Sequence, residues 1–475
     1  MDELIPRQPF FERYEFLGSL TQGTVTVDDL HMVVQCPLLK QGDILGQILG
    51  TAETFNRLAR ISDVRGPTLT LHSKIHPDVR MQFSSDDFYL GSAQRRASSD
   101  DEEGKMAHVV TEFNPPAFEV IHSYGPRDLE KRLLTFFLAG PEYMWGIIPR
   151  EEVSYTGDAK TEVPNAKIDL SCQMPFSIEV RPWFFYDKSP MFPDHQLTAR
   201  VYSLQFSTDE PLDRLSNDDF VRQATDVAED LILLVSFISR GWIAWYRYTL
   251  QTSEFLKTHF RRARETSPRE VDWHETLIQR GKAREFLKSA YPRLIKLRAD
   301  QTDLFMSLVY YISGLKAKYL EEQFTTLFLA LERTKDLFAR KTESLRIILP
   351  ETEFYDLAES LKEQLRKVVG ESDLRSRIYP KIRELNRPTL QFALDSLMST
   401  HSLSYSDLYP AGDEFSLIKT RDQLFHSSEG VDPDHLMQEF YRLRSLLERL
   451  FLSLLGFRDF SRSPDQHTGK WLRNE

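Results

Sequence analysis

In the stretch FSLIKTRDQLFH, Phe415 to His426, an arginine and a histidine stand five positions apart as Arg421 and His426. A guanidinium stays cationic and grips oxyanions with a planar fork, while an imidazole exchanges protons near neutral pH. Together they suit chemistry at a phosphate. Asp422, next in the chain, could orient either group. The spacing is weak ground by itself, because an Arg-x4-His match is expected roughly once by chance in a chain this long. Arg269 with His274 and Arg462 with His467 repeat it, in polar surroundings that read as solvated surface. Only Arg421 and His426 lie in an amphipathic frame.

That frame is helical. From Gln301 onward, apolar residues recur at helical spacing over Asp303 to Lys341, Glu353 to Val369, Asp373 to Asn386, Pro388 to Ser399, Ser416 to Ser427 and Asp434 to Phe457. The last carries Leu436, Phe440, Leu443, Leu447, Leu450 and Leu454 as one stripe, as a bundle helix should. On an ideal helix, positions five apart point about 140° from each other. Arg421 would therefore share the stripe of Leu417, Leu424 and Phe425, with His426 at its edge. An arginine on an apolar face is costly unless it is paired or faces a polar cleft. Either the stripe meets a two-fold partner, or Arg421 pairs with an acid such as Glu332 or Asp422 and His426 caps the helix.

Before residue 210 the grammar is that of β-structure. Gly23 to Asp28, Leu30 to Gln35, Thr68 to His72, Ile168 to Cys172, Phe176 to Val180 and Leu197 to Phe206 are β-branched or alternating runs between turn residues. The pattern predicts an antiparallel, sandwich-like domain, with a helix at Arg127 to Leu138 and a charged loop at Gln94 to Lys105. Ser216 followed by Asp219 resembles a capping box opening a helix that Gly241 ends. Trp242 to Tyr248 suits a strand or a short buried segment. Beyond it, Glu254 to Lys296 reads as a helical connector. Lys257 to Arg298 holds twelve basic against five acidic residues, so Arg261, Arg262 and Arg264 are candidates for tracking phosphates. The predicted division is 1–210 for sensing or binding, 211–300 as connector, 301–460 as helical bundle and 461–475 as a polar tail.

The 475 residues suit two or three cores, and 41% hydrophobic with 28% charged residues is ordinary globular composition. A formal charge of -11 argues against wholesale coating of nucleic acid, though not against a local basic face. Cys36 and Cys172 are far apart and outside any CxxC spacing, and His72 with His76 falls on a strand or turn near a proline. No metal and no cofactor is expected. The N-terminus is acidic and the longest apolar run, Leu231 to Val235, is short, so a cytoplasmic protein without membrane attachment is expected.

Three segments in this order, EEQFTTLFLALERTKDLF (Glu321 to Phe338), IRELNRPTLQFALDSL (Ile382 to Leu397) and IKTRDQLFHSSEG before a closing helix, resemble the HEPN superfamily of helical-bundle ribonucleases. The β-rich domain ahead of them is similar in layout to that of ApeA-type antiphage proteins, which extends the resemblance over most of the chain. The Arg-polar-x3-His signature of HEPN nucleases maps onto Arg421, Asp422 and His426. The resemblance implies an α+β protein: an N-terminal antiparallel β-rich domain, then an all-α bundle. It implies a metal-independent endoribonuclease in abortive infection, cutting RNA, for instance tRNA, where two bundles pair as a homodimer or higher oligomer. Lys419 is then a candidate RNA contact and Glu332 a secondary active-site acid. The N-terminal domain would sense a trigger such as a phage-derived protein. The alternative is a catalytically silent dimerisation or nucleotide-binding bundle behind a protein- or carbohydrate-binding β-domain.

Overall fold

The computed structural model describes residues 11–22, 25–38, 44–50, 69–73, 78–83, 94–96, 108–113, 117–126, 129–140, 167–188, 196–261, 276–278, 280–300, 303–340, 346–409, 416–426 and 430–457. The chain is α+β and divides into two compact units. One comprises Met1–Val235 with Trp242–Val271, the other Ser236–Gly241 with Asp272–Glu475.

The first unit is built on a sheet. Its strands begin with β1 (Phe11–Gln22), β2 (Val25–Pro37), β3 (Leu45–Gly50), β4 (Leu69–Ser73), β5 (Val79–Phe83), β6 (Gln94–Arg96) and β7 (His108–Phe113). They continue with β8 (Ala117–Ser123), β9 (Arg132–Ala139), β10 (Ser177–Lys188), β11 (Gln196–Thr208), β12 (Ala244–Gln251) and β13 (Phe255–Arg261). Hydrogen bonds join all thirteen into one antiparallel sheet, ordered β10-β11-β9-β12-β13-β8-β5-β4-β1-β2-β3-β7-β6, rather than into two separately bonded sheets. Phe16, Met32, Val120, Phe118 and Phe260 bury their side chains in one core, with the Phe118 and Phe260 rings stacked at 5.0 Å. Between β11 and β12 the chain forms α1 (Asn217–Ser239). The Ser216 hydroxyl accepts from the Asp219 backbone N–H at 3.1 Å and donates to the Asp219 carboxylate at 2.8 Å, so the cap forms where the sequence placed it.

The strand predicted at Ile168 to Cys172 does not form, the chain there making only an isolated bridge from Lys167 to Glu179, and three further expectations fail. The helix predicted at Arg127 to Leu138 is β9, buried along nearly its whole length and paired to β11 on one side and β12 on the other. Its apolar run RLLTFFLA has no strand periodicity because both faces are covered, and such a run looks the same in a buried helix. The supposed helical connector contains β13. There Thr258 and Phe260 point inward while Lys257, His259 and Arg261 alternate onto the other face, the two-residue period of a half-buried strand. The charged loop expected from Gln94 opens as the short strand β6, and the remainder to Lys105 lies outside the described residues.

Lys257 and His259 face Glu119 across the β13–β8 pairing, at 2.8 and 3.2 Å. Burial alone would raise the Glu119 carboxyl. The hydrogen bonds from His259 and Lys257 and the ammonium charge outweigh it, taking the group from its ordinary 4.5 down to about 2. Gly140, just after β9, adopts φ +119°, and a Cβ there would stand 2.5 Å from the Trp242 carbonyl oxygen. Only glycine lets the end of β9 lie so close to the chain entering β12.

The second unit is helical: α2 (Ala283–Ala299), α3 (Phe305–Lys316), α4 (Leu320–Ala339), α5 (Glu351–Val368), α6 (Ser372–Glu384), α7 (Leu390–Thr400), α8 (Leu417–His426) and α9 (Pro433–Leu454). The single helix predicted over Asp303 to Lys341 is two, broken where Ala317 turns extended. Gly314 and the Leu327 side chain pack so tightly that an added Cβ would sit 3.0 Å away, so the pair fold back as a hairpin. Residues Leu436, Phe440, Leu443, Leu447, Leu450 and Leu454 of α9 are all buried, as their stripe predicted. Among the described residues no helix is long and apolar enough to cross a membrane.

Two outcomes follow for this fold. Gly140→Ala combines positive-φ strain with a backbone clash and should cost more than about 2 kcal/mol in urea unfolding. Because Glu119 has a depressed pKa, its contribution is fully present above pH 4.5 and is lost as pH falls from there towards 2. Glu119→Gln should be less stable than the wild type at neutral pH and lose less stability across that acid window, as read from unfolding midpoints against pH.

Candidate functional site

Arg421 lies mid-way along α8 and His426 is that helix's last residue. Leu417, one turn before Arg421, is buried and anchors the helix, and Thr420 is buried beside it. The Thr420 hydroxyl stands 3.0 Å from Nε2 of His435 in the first turn of α9. The His435 backbone N–H donates to the Asp432 carboxylate at 3.0 Å, which caps α9 and fixes where the ring begins. Thus α8 is pinned on its inner face, and the adjacent Arg421 is turned outward.

The Arg421 guanidinium lies over the Phe328 ring of α4, 5.2 Å from its centroid, with 35% of the side chain exposed. Its Nη1 is 3.9 Å from Oε1 of Glu332, one turn further along α4, and its Nε is 3.0 Å from Oδ1 of Asp422. The Asp422 contact lacks hydrogen-bond alignment, so Nε has no hydrogen-bond partner. Arg421 is therefore held by charge and by an aromatic face, with forked donors still able to turn to a ligand. Phe425, one turn on, is 58% exposed, and Leu329 on α4 is 46% exposed. The predicted stripe of Leu417, Arg421, Leu424 and Phe425 thus begins buried and ends in solvent.

Of the other predicted residues, Asp422 and Glu332 come together around Arg421. Lys419 is exposed, two positions before Arg421 and so on the opposite side of α8. His426 closes α8, and its side chain lies outside the described residues. Arg261 belongs to the first unit. Its guanidinium covers the Trp245 ring at 3.2 Å, donates to the Trp245 carbonyl and meets Glu229 of α1 at 2.9 Å, a clamp between sheet and helix. Arg262 and Arg264 lie outside the described residues, as do the pairs Arg269 with His274 and Arg462 with His467. Among the described residues no group of three or more His, Cys, Asp or Glu side chains converges as metal ligands would.

The sequence did not reveal the charges buried along α9. Glu448 receives the Tyr311 hydroxyl at 2.5 Å and Arg240 Nη2 at 2.7 Å. Burial, followed by the Glu448 charge, pushes the Tyr311 phenol well up. Arg449 is fully buried and forks onto both oxygens of Asp407, at 2.7 and 2.6 Å, while also donating to the Ser404 carbonyl. Glu439 accepts from Tyr409 at 3.1 Å and from Arg442 at 2.8 Å. The sequence signal was present as ionic residues at positions 439, 448 and 449 inside an otherwise apolar stripe, but it does not name their partners.

Compared with family models, with curated proteins and with solved structures, the chain matches none.

The contrast between Arg421 and Arg449 is measurable. An exposed pair contributes about 0.2–1 kcal/mol and a cation–π contact about 0.5–1, so Arg421→Ala should lower unfolding free energy by no more than about 2 kcal/mol. Arg449→Ala empties a fully buried site and leaves the Ser404 carbonyl without its donor, while the exposed Asp407 is rehydrated, and should cost about 2–4 kcal/mol, more than Arg421→Ala.

Proposed function

We propose that the helical unit cuts RNA at a face built around Arg421 and His426. The observation that carries this reading is the state of Arg421: about one-third exposed, stacked on Phe328, without an aligned hydrogen bond at Nε, and five residues ahead of a histidine on one short helix. Both residues stand on an element whose inner side is fixed by Leu417 and by the contact of Thr420 with His435.

The chemistry is an intramolecular phosphoryl transfer. A base removes the proton from a ribose 2'-OH, and the resulting oxygen attacks the adjacent phosphorus. The bond to the 5'-oxygen breaks, leaving a 2',3'-cyclic phosphate, and an acid protonates the departing oxygen. An imidazole near its ordinary pKa can serve in either proton transfer. The Arg421 fork grips two phosphate oxygens and offsets their growing charge. Glu332 and Asp422 keep the guanidinium aimed until the phosphate displaces them. Because positions five apart on a helix point about 140° from each other, a composite site in which His426 of one copy meets Arg421 of another fits better than a single chain acting alone. Homodimerisation of the helical unit is thus part of the proposal, with the exposed Phe425 and Leu329 at its edge. The sheet unit would sense the trigger, for which a phage protein in the cytoplasm is the reading carried over from the sequence resemblance.

His426→Ala and Arg421→Ala should each abolish cleavage of total RNA in EDTA while the protein unfolds within a few degrees of the wild type. Undiminished cleavage by His426→Ala would end the proposal, and a dimer that leaves RNA intact under trigger-rich lysate would favour a silent binding module instead.

A further inference from the structure

A cleft of about 530 Å³ opens in the helical unit at the C-terminal end of α7 and the loop that follows it. It lies in the size range of small-molecule sites, about 300–1,000 Å³. Its walls include the rings of Tyr405 and Tyr409, the Met398 side chain, Gln391 and one carboxylate, Asp395. Among the described residues it is lined by serines and tyrosines but by no lysine, arginine or histidine, so it brings no cation to a phosphate, and the Asp395 carboxylate favours a flat, donor-rich, uncharged group.

The cleft is preformed. The Arg449 fork on Asp407 and the Ser404 carbonyl ties the loop to α9 from beneath. Tyr409 is fixed by its hydrogen bond to Glu439 and by the Arg442 guanidinium over its ring at 4.8 Å. Tyr405 meets Tyr409 edge-on at 6.2 Å and donates its hydroxyl to Oδ1 of Asp395. Each carboxylate oxygen accepts about two hydrogen bonds. Asp395, at an exposed position, therefore keeps acceptor capacity on both oxygens after taking the Tyr405 hydroxyl.

We infer that this cleft is a guanine pocket, which reads an unpaired guanosine of the RNA next to the cut. Guanine presents two adjacent donors, N1–H and N2–H2, at the spacing of the two oxygens of a carboxylate. Adenine and cytosine set one amino group beside a lone pair, and uracil flanks its single N–H with two carbonyls, so each places an acceptor against Asp395. Unstacked bases are read in this way, by aromatic faces together with hydrogen bonds on the base edge. The cleft and Arg421 are tied to the same stretch of α9: Glu439, which holds Tyr409, is one turn from His435, which meets Thr420 beside Arg421. The rise over those four residues is about 6 Å. The link to a cut rests on the ribonuclease reading, whereas the guanine preference stands on the cleft alone.

The test is a titration of the full chain with guanosine, adenosine, cytidine, uridine and, as a cationic competitor for the carboxylate, spermidine, followed by calorimetry. Guanosine should bind at least about tenfold tighter than uridine, as a bidentate pair discriminates. Asp395→Asn, which preserves shape at an exposed position, should lose at least about tenfold of guanosine affinity by the same reasoning. Tyr405→Phe should retain the preference, since the carboxylate and not the phenol reads the base. Equal binding of the four nucleosides, no binding at millimolar guanosine, spermidine bound in its place, or an Asp395→Asn variant indistinguishable from wild type would each overturn the inference. Guanosine binding in a protein that cuts no RNA would remove the ribonuclease and leave the pocket. RNA cleavage without any guanosine binding would remove the pocket and leave the ribonuclease.

Discussion

The helical unit depends on a carboxylate with nowhere to go. Glu448 is buried among leucines and phenylalanines, where a lone charge would be heavily penalised, and it is tolerated because Arg240 and Tyr311 satisfy one oxygen each. Arg240 sits at the end of α1 with φ 53°, an uncommon conformation for a residue with a side chain. That conformation delivers the guanidinium to α9. The same interaction therefore fixes where the chain leaves α1, which face of α9 turns inward and where Tyr311 of α3 must stand. Helix α9, oriented in this way, presents His435 to α8, Glu439 to Tyr409 and Arg449 to Asp407. One buried charge is thereby tied to the helix that contacts both α8 and the loop carrying Tyr409 and Asp407.

Much of this was legible in the sequence, for a physical reason. Helices α5 to α9 begin and end within a few residues of the periodic segments read from the chain, because each keeps one apolar stripe and is bounded by loops or caps. Strands β4 and β11 likewise coincide with alternating or β-branched runs, while β2 joins two of them and β10 extends well beyond the run at Phe176 to Val180. The failures share one cause, which is tertiary context outweighing local pattern. Strand β9 has leucines and phenylalanines without alternation, and only pairing on both edges makes it a strand. The break between α3 and α4 falls inside the single helical segment read over Asp303 to Lys341, where apolar periodicity alone gives no stop. In the candidate site, Arg421 could be named from its amphipathic frame, and Glu332 as one acid that could pair with it. The roles of His435, Glu448 and Arg449 could not, because their partners lie on other elements.

Charged residues serve two opposite purposes in the helical unit. Those along α9, such as Glu448 and Arg449, are enclosed, paired through short hydrogen bonds and committed to holding neighbouring elements in place. Arg421 is only loosely attached, by distance-limited attraction to two carboxylates and by a ring beneath it. Under the proposed role at a phosphate, such loose attachment would let the guanidinium turn to a ligand without first breaking strong hydrogen bonds. The same division holds in the cleft, where buried Arg449 secures the loop and exposed Asp395 is left with capacity to accept.

The order of strands in the sheet has a further consequence, for synthesis rather than for binding. Strands β12 and β13 lie between β9 and β8, although they follow them by more than a hundred residues in the chain. When the ribosome has released residues up to β11, the sheet exists at most as two fragments, each with an open edge of the kind that invites pairing with other chains. Residues 244–261 are a late-arriving keystone, and the long loop they must close makes the step slow. A chain cut at residue 210 would therefore leave the edges of β9 and β8 unpaired.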